Sequence, residues 1–262
     1  MKESINFDRA AAIYDATRKL PDDAAEAITQ ALLREIHATG ADRVLEVGIG
    51  TGRIARPLMR EGVRMVGVDI SRQMMTRLKE QLTPDQTQPD LVLGDGTCLP
   101  ITDDSFRAAL VVHVFHLVQS IEKTISEVRR VLAAEGALLH QSRRAAEATE
   151  RMWDDSMAEW RRVLAVRGYV GKSRREMSEI RAALVASGGK MQEMDVIASP
   201  EVWTADQEME RLRNRQSAWT WAVPSDIFDD ALPEYEAWLR RALPEGTFRD
   251  DVTLTIERWS WD

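Results

Sequence analysis

The chain has 262 residues, a net charge of −8, 44% hydrophobic residues and one cysteine, Cys98. That length holds one sizeable core, and a lone cysteine excludes an internal disulfide framework and any cysteine-rich metal site. The acidic balance opposes nucleic acid as a main partner, because binding it takes a basic surface that displaces counterions. No apolar run approaches the length of a membrane span, and Met1-Lys2-Glu3-Ser4-Ile5-Asn6 lacks the apolar centre of a secretory leader, so a cytoplasmic protein with no membrane partner is expected.

Residues 7–20 precede the first long periodic segment. Pro21-Asp22-Asp23 opens a helix with Ala24, Ile28, Leu32 and Ile36 on one face, and Gly40 ends it. The chain is organised around the next stretch, Val44-Leu45-Glu46-Val47-Gly48-Ile49-Gly50-Thr51-Gly52-Arg53. It reads as a buried strand over 43–48, a glycine-rich turn and the start of a helix reaching about Glu61. Gly48, Gly50 and Gly52 remove Cβ atoms where a turn is tight and a ligand approaches backbone. A dinucleotide fingerprint has the spacing G-x-G-x-x-G with a pyrophosphate at the helix start. Here the spacing is G-x-G-x-G, and the carboxylate of Glu46 suits a ligand that brings positive charge, such as an amino-acid ammonium.

The run V-L-E-V-G-I-G-T-G resembles motif I of the class I S-adenosylmethionine-dependent methyltransferases. The resemblance implies S-adenosyl-L-methionine as methyl donor and S-adenosyl-L-homocysteine as product, with Glu46, Gly48, Gly50 and Gly52 in the donor site. It also implies a role for Tyr14-Asp15 and Arg18, which resemble the segment that caps the donor in many of these enzymes. Tyr14 would face the sulfonium and Arg18 the methionine carboxylate; as an alternative, Tyr14 is an amphipathic packing residue.

The second strand, Met65 to Asp69, ends in an acid placed to accept from both ribose hydroxyls. Its competing role as a helix cap is weakened by Ser71, itself a good cap. Ile70 and Met74 are placed to sandwich adenine or to pack the core. A polar loop over 83–90 leads to a third strand, Leu91 to Leu93, and then Gly94-Asp95-Gly96, a turn signal by itself. The resemblance gives Asp95 the adenine amino group and Gly96 a ring nitrogen. Asp103-Asp104-Ser105-Phe106-Arg107 has Arg107 where the family usually has a further acid, ahead of a fourth strand, Ala108 to Val112. His113 lies just past that strand's end, where ligands gather in a parallel sheet, and is the candidate catalytic base or orienting group. A histidine at the position of His116 is frequent in the related quinone-type C-methyltransferases and could play the same part; a hydrogen-bonded structural histidine is the alternative for both and the preferred reading for His116.

Ser120 caps a helix with Ile121, Ile125, Val128 and Leu132 on one face. Glu135-Gly136 turns into a fifth strand, 137–140, whose last residue, His140, is read as a surface or capping group, with a place at the border of the acceptor pocket as the alternative. Beyond it the pattern predicts a helix carrying Trp153, Trp160 and Leu164, a second over 172–187, a sixth strand near 190–203, helices over 204–216 and 225–243, and a period-two strand over 252–257. All eight tryptophans lie beyond residue 150. Trp219 and Trp221 are candidates for an apolar acceptor wall or, as for most of the eight, packing of the added helices.

The order of elements predicts an α/β, doubly wound, mostly parallel seven-stranded sheet of the Rossmann-like methyltransferase type. Its last strand is expected to be antiparallel, with extra helices over the acceptor side. We read one methyltransferase domain over 1–262, its donor part at about 7–142 and its acceptor or lid elaborations at about 143–189 and 204–247. The implied function is transfer of a methyl group to a small-molecule acceptor by in-line displacement, with no metal called for. A non-catalytic donor-binding or scaffolding protein of the same fold is the alternative. A nicotinamide-dependent oxidoreductase is disfavoured by the glycine spacing and Glu46.

Overall fold

The computed structural model describes residues 4–17, 20–83, 86–144, 147–171 and 177–261. Its strands are β1 (Val44–Val47), β2 (Met65–Asp69), β3 (Asp90–Leu93), β4 (Phe106–Val112), β5 (Leu132–Arg144), β6 (Lys190–Thr204) and β7 (Thr247–Ser260). They form one seven-stranded sheet in the order β3-β2-β1-β4-β5-β7-β6. Its helices are α1 (Tyr14–Thr17), α2 (Asp22–Thr39), α3 (Ala55–Arg60), α4 (Arg72–Glu80), α5 (Ile121–Val131), α6 (Glu147–Ala165), α7 (Met177–Ala186), α8 (Ala205–Arg213) and α9 (Ser225–Ala242).

The first five strands pair in parallel, with Leu45 opposite Val66 on one side and Ala109 on the other. Antiparallel pairing enters near the end of the chain, as expected of the last strand. Every residue of β1 is buried, because parallel sheets are covered on both faces. The strand order reverses between β1 and β4, and that switch point opens a crevice at the carboxyl ends of the central strands.

Local signals act as the sequence indicates. Pro21 precedes α2, and Gly40 ends it at φ 63°. Ser71 and Ser120 cap α4 and α5, each hydroxyl accepting from a backbone N–H of the first turn. Thr204 and Gln207 form a reciprocal capping box at α8. Leu132 corrects the expected pattern: it opens β5, paired with Phe106, and does not continue the face of α5. Glu135-Gly136 is likewise no turn ahead of a strand. The ladder slips between Phe106 and Ala108, and Glu135 takes φ 63°, so β5 runs through a bulge. Only tertiary pairing with β4 makes strand the better state for Leu132–Gly136.

The chain divides into two compact units. One comprises residues 1–142, 175–197 and 254–262; the other comprises 143–174 and 198–253. The first has a core of aliphatic strand residues and α5, joined by Ile180 and Leu184 of α7 and by Trp259. Residues 177–189 thus group with the sheet unit, because the apolar face of α7 is buried in its core. The second is helical and centres on Trp160, with Phe228 and Tyr235 edge-on at 5.3 and 5.2 Å.

Candidate functional site

A cavity of about 80 Å³ opens at the carboxyl ends of β1, β2 and β4 within the sheet unit. The turn after β1 forms its floor. Gly48, Gly50 and Gly52 have φ of 79°, 57° and 74°, a region L side chains rarely adopt. Space restricts them as well. A Cβ on Gly48 would lie 2.2 Å from Val114, and one on Gly52 would lie 2.4 Å from Leu78. Gly48 and Gly50 line the cavity; Gly52 instead lets the turn pack on α4.

Glu46, in β1, is buried among Leu45, Val47 and the turn, and its Oε2 has no hydrogen-bond partner in the structure. Burial pushes its carboxyl up to about 8; Arg53 opposes the rise and Asp69 adds to it. With Tyr14, Gly48, Gly50, Thr51 and Arg53 it borders a smaller adjoining space. An orphaned, buried carboxylate oxygen beside a glycine turn is costly without a partner and is matched by a cation that arrives with the ligand.

Asp69 ends β2 and faces the same cavity. Its Oδ2 accepts from the Gly50 N–H at 2.8 Å and its Oδ1 from the Ser71 N–H at 2.7 Å. Burial raises its pKa, and these bonds work against the rise. Asp69 therefore ties the glycine turn to the start of α4. Each oxygen keeps a second lone pair, so a diol at the site still finds acceptors.

Ile70 and Met74 line the cavity beside Asp69. Asp95 and Gly96 line it from the loop after β3. The Thr97 N–H and hydroxyl both donate to Asp95 Oδ1 at 2.8 Å. Burial alone would raise the Asp95 pKa, but the bonds from Thr97 and Ser4 together hold it below the ordinary value. His113 lines the cavity at φ 56°, a strained conformation for a non-glycine residue and one that recurs at functional sites. Tyr14 closes one side, its ring edge-on to Phe7 at 5.8 Å. Arg18 lies outside the described residues.

His140 differs from its expected surface role. It is buried in β5, with Nδ1 3.2 Å from Glu257 Oε2 and its ring edge-on to Phe115. Glu257 also accepts from Arg181 and from Trp259 Nε1, the latter at 3.1 Å. Burial pushes the Glu257 pKa upward, but bonds led by His140 and Arg181 bring it down to about 2. The period-two pattern of the last strand puts Glu257 and Trp259 on one face, yet nothing local pairs them with a histidine 117 residues away. Trp219 packs edge-on against Trp160 in the helical unit, and Trp221 donates from Nε1 to the Arg215 carbonyl at 2.6 Å.

Sequence reasoning placed Tyr14-Asp15 in a segment that caps the donor but missed the start of that segment, residues 4–8, with which it forms a strap over 4–17. Ser4, Ile5 and Phe7 line the cavity together with Tyr14. The strap is fastened by the Ile5 N–H to the Leu117 carbonyl at 3.0 Å and by Asp15, which accepts from Thr51 Oγ1 and, at 2.7 Å, from Gln81 Nε2. The polar residues Ser4, Asn6 and Asp8 ahead of Tyr14-Asp15 carry no periodicity, so only their long-range partners reveal what they do.

Residues 45–140 match the family described as a methyltransferase domain. This stretch contains the glycine turn, Glu46, Asp69, Asp95 and His113. Residues 45–140 are thus similar to a methyltransferase domain. The demethylmenaquinone methyltransferase of Tropheryma whipplei (strain Twist) is 32% identical over 135 residues, covering 51% of this chain and 55% of that one. The chain thus spans about half the length of the curated relatives it matches. The YcgJ protein of Bacillus subtilis has the same fold, with a TM-score of 0.59 at 19% identity over 89% of this chain and 99% of that one. So does the [4+2]-cyclase SpnF, with a TM-score of 0.56 at 20% identity over 93% and 84%. A cyclase among the neighbours of a methyltransferase domain shows that the sheet alone does not name the reaction.

Proposed function

We propose that the protein is an S-adenosylmethionine-dependent methyltransferase that acts on a small-molecule acceptor in the cytoplasm. The observation that carries this reading is the buried Glu46 Oε2, which lacks a partner beside the glycine turn. A nicotinamide dinucleotide would bring two phosphates to that carboxylate, whereas the methionine part of the donor brings an ammonium. Glu46 would hold that ammonium, Asp69 the ribose hydroxyls, and Ile70 and Met74 the faces of the adenine. Asp95 and the Gly96 N–H would take the edge of the base.

S-adenosylmethionine supplies a methyl group already activated by the sulfonium charge. The residues here then have to orient the acceptor and exclude water. Tyr14 turns an aromatic ring to the cavity, which favours a cationic neighbour. His113, at the strained end of β4, is placed to orient the acceptor or take its proton. The net charge of −8 supports a small molecule over nucleic acid as the acceptor class. The name of the Tropheryma relative supports a quinone-like acceptor within that class. Among the described residues, no helix is long and apolar enough to cross a membrane.

Calorimetric titration with S-adenosylmethionine, S-adenosylhomocysteine and NAD tests the donor. The first two should bind and NAD should not; tight binding of NAD alone overturns the reading. Mass-spectrometric detection of a methylated product across phenol, naphthoquinol, amine and thiol acceptors tests turnover. Donor binding with no product from any acceptor favours the non-catalytic alternative.

A further inference from the structure

The strap meets the donor site through one shared residue. The Ser71 N–H donates to Asp69 Oδ1 at 2.7 Å, and the Ser71 hydroxyl donates to Asp8 Oδ1 at 2.5 Å. That hydroxyl also accepts from the Met74 N–H as the cap of α4, and the Gln73 N–H donates to Asp8 at 3.1 Å. Beside it, Asn6 Nδ2 donates to the Ile70 carbonyl at 3.4 Å, and Asn6 Oδ1 accepts from the Asp8 N–H at 2.7 Å. An unbroken chain of hydrogen bonds thus runs from Gly50 through Asp69 and Ser71 to Asp8. The Asp8 carboxylate sits at the positive end of α4, where an anion is favoured. The Ser71 hydroxyl, ahead of any other influence, holds its pKa below the ordinary value.

The strap also limits the cavity. With Ser4, Ile5, Phe7 and Tyr14 in place it measures about 80 Å³. The strap thus forms one wall of the cavity.

We propose that Asp8 is a positioning residue of the donor site: by gripping Ser71 and the start of α4 it latches the strap over the bound donor and holds the Asp69–Ile70 segment in register. This rests on the reading of the cavity as the donor site. Asp8 acts through Ser71, so its loss should appear first in how fast the ligand leaves.

The test measures S-adenosylhomocysteine association and dissociation rates on the full chain by surface plasmon resonance, with hydrogen exchange of residues 5–13 in the bound state. Removing two hydrogen bonds to a charged group predicts dissociation about 10- to 50-fold faster for Asp8→Ala, with association unchanged or faster. Asp8→Asn keeps an acceptor for the Ser71 hydroxyl and should show a smaller rise. Strap amides should exchange faster in both variants. Asp23, which accepts from the Ala24 N–H at the start of α2, serves as a control; Asp23→Ala should keep the parent rates. Rates for Asp8→Ala within twofold of the parent overturn the latch. So does an equal effect from Asp23→Ala, or a smaller binding-competent fraction that keeps the parent rates, which marks Asp8 as merely structural. If the parent itself does not bind S-adenosylhomocysteine, the donor-site reading fails and the latch with it, an outcome distinct from unchanged rates in a protein that binds.

Discussion

The sheet unit and the helical unit solve different problems with different residues. In the sheet unit, polar groups gather at the ends of strands: Glu46, Asp69, Asp95 and His113 all border one cavity or its adjoining space, on backbone that is strained at His113 and open only to glycine at Gly48 and Gly50. In the helical unit, aromatic rings gather at the centre, where Trp160 meets Trp219, Phe228 and Tyr235. The Tyr235 hydroxyl is paired with Ser156 at 2.6 Å, and burial pushes its pKa well above the ordinary phenol value. Concentrated strain and uncompensated charge mark a site that a ligand completes. Concentrated aromatic area marks a core held by ring packing, even where the Trp160 indole N–H finds no acceptor.

The sharpest way to break this contrast is at the two centres. Trp160→Ala should cost about 3–5 kcal/mol, since it empties a fully buried aromatic position. Chemical denaturation should show an early transition confined to residues 143–174 and 198–253 by hydrogen exchange, while S-adenosylhomocysteine binding persists. A loss of donor binding equal to that of a site variant would show that the contrast between the units is false.

Asp69→Ala removes acceptors for a ligand diol and releases Gly50 and Ser71. We expect a loss of roughly 1.5–3 kcal/mol, about 10- to 150-fold in S-adenosylmethionine affinity, with the fold retained. Because Asp69 also braces the turn, the loss should fall toward the upper end. Asp69→Asn keeps one acceptor and should be milder. Titration of Asp69→Ala within twofold of the parent would remove Asp69 from the donor site.

Glu46→Gln should weaken S-adenosylhomocysteine by about 10- to 100-fold above pH 8, or roughly 1.4–2.8 kcal/mol. The pH dependence sharpens the point. With its pKa near 8 in the empty protein, Glu46 is largely protonated at pH 6–7 and must lose that proton to hold an ammonium. Affinity of the parent should therefore climb toward pH 8 and level off, and Glu46→Gln should flatten the climb. The linkage to folding has the opposite slope. Between about pH 4.5 and 8 the folded state binds a proton that the unfolded state does not, so this group makes the empty protein less stable as pH rises. Thermal melts of Glu46→Gln should lack that contribution. Equal pH slopes in parent and variant would show that Glu46 is not the titrating group.

The smallest effect belongs to Trp221, half-buried in the helical unit. Trp221→Phe loses one hydrogen bond to the Arg215 carbonyl and should cost about 0.5–1.5 kcal/mol in stability, with no change in donor affinity by titration.

The glycine turn, Glu46, Asp69, the strand–helix alternation and the caps at Ser71 and Ser120 were legible in the sequence. Each depends on neighbours within a few residues: a tight turn needs glycine, a helix start needs a hydroxyl, and a strand buried on both faces needs an unbroken apolar run. Other features came from pairings far apart in the chain. The bulge that turns Leu132–Gly136 into strand exists because β4 offers a ladder. The partnership of His140 with Glu257 spans 117 residues, and Asp8 reaches Ser71 across 63. The grouping of α7 with the sheet unit depends on a shared core with Trp259. Local chemistry is written in local composition, so the sequence by itself determined which residues form the turn and which acids flank it. Long-range hydrogen bonds and shared cores leave no periodic trace, so only the tertiary structure decided how residues 4–17 are fastened beside the cavity, that Asp69 also braces the turn and that His140 is buried.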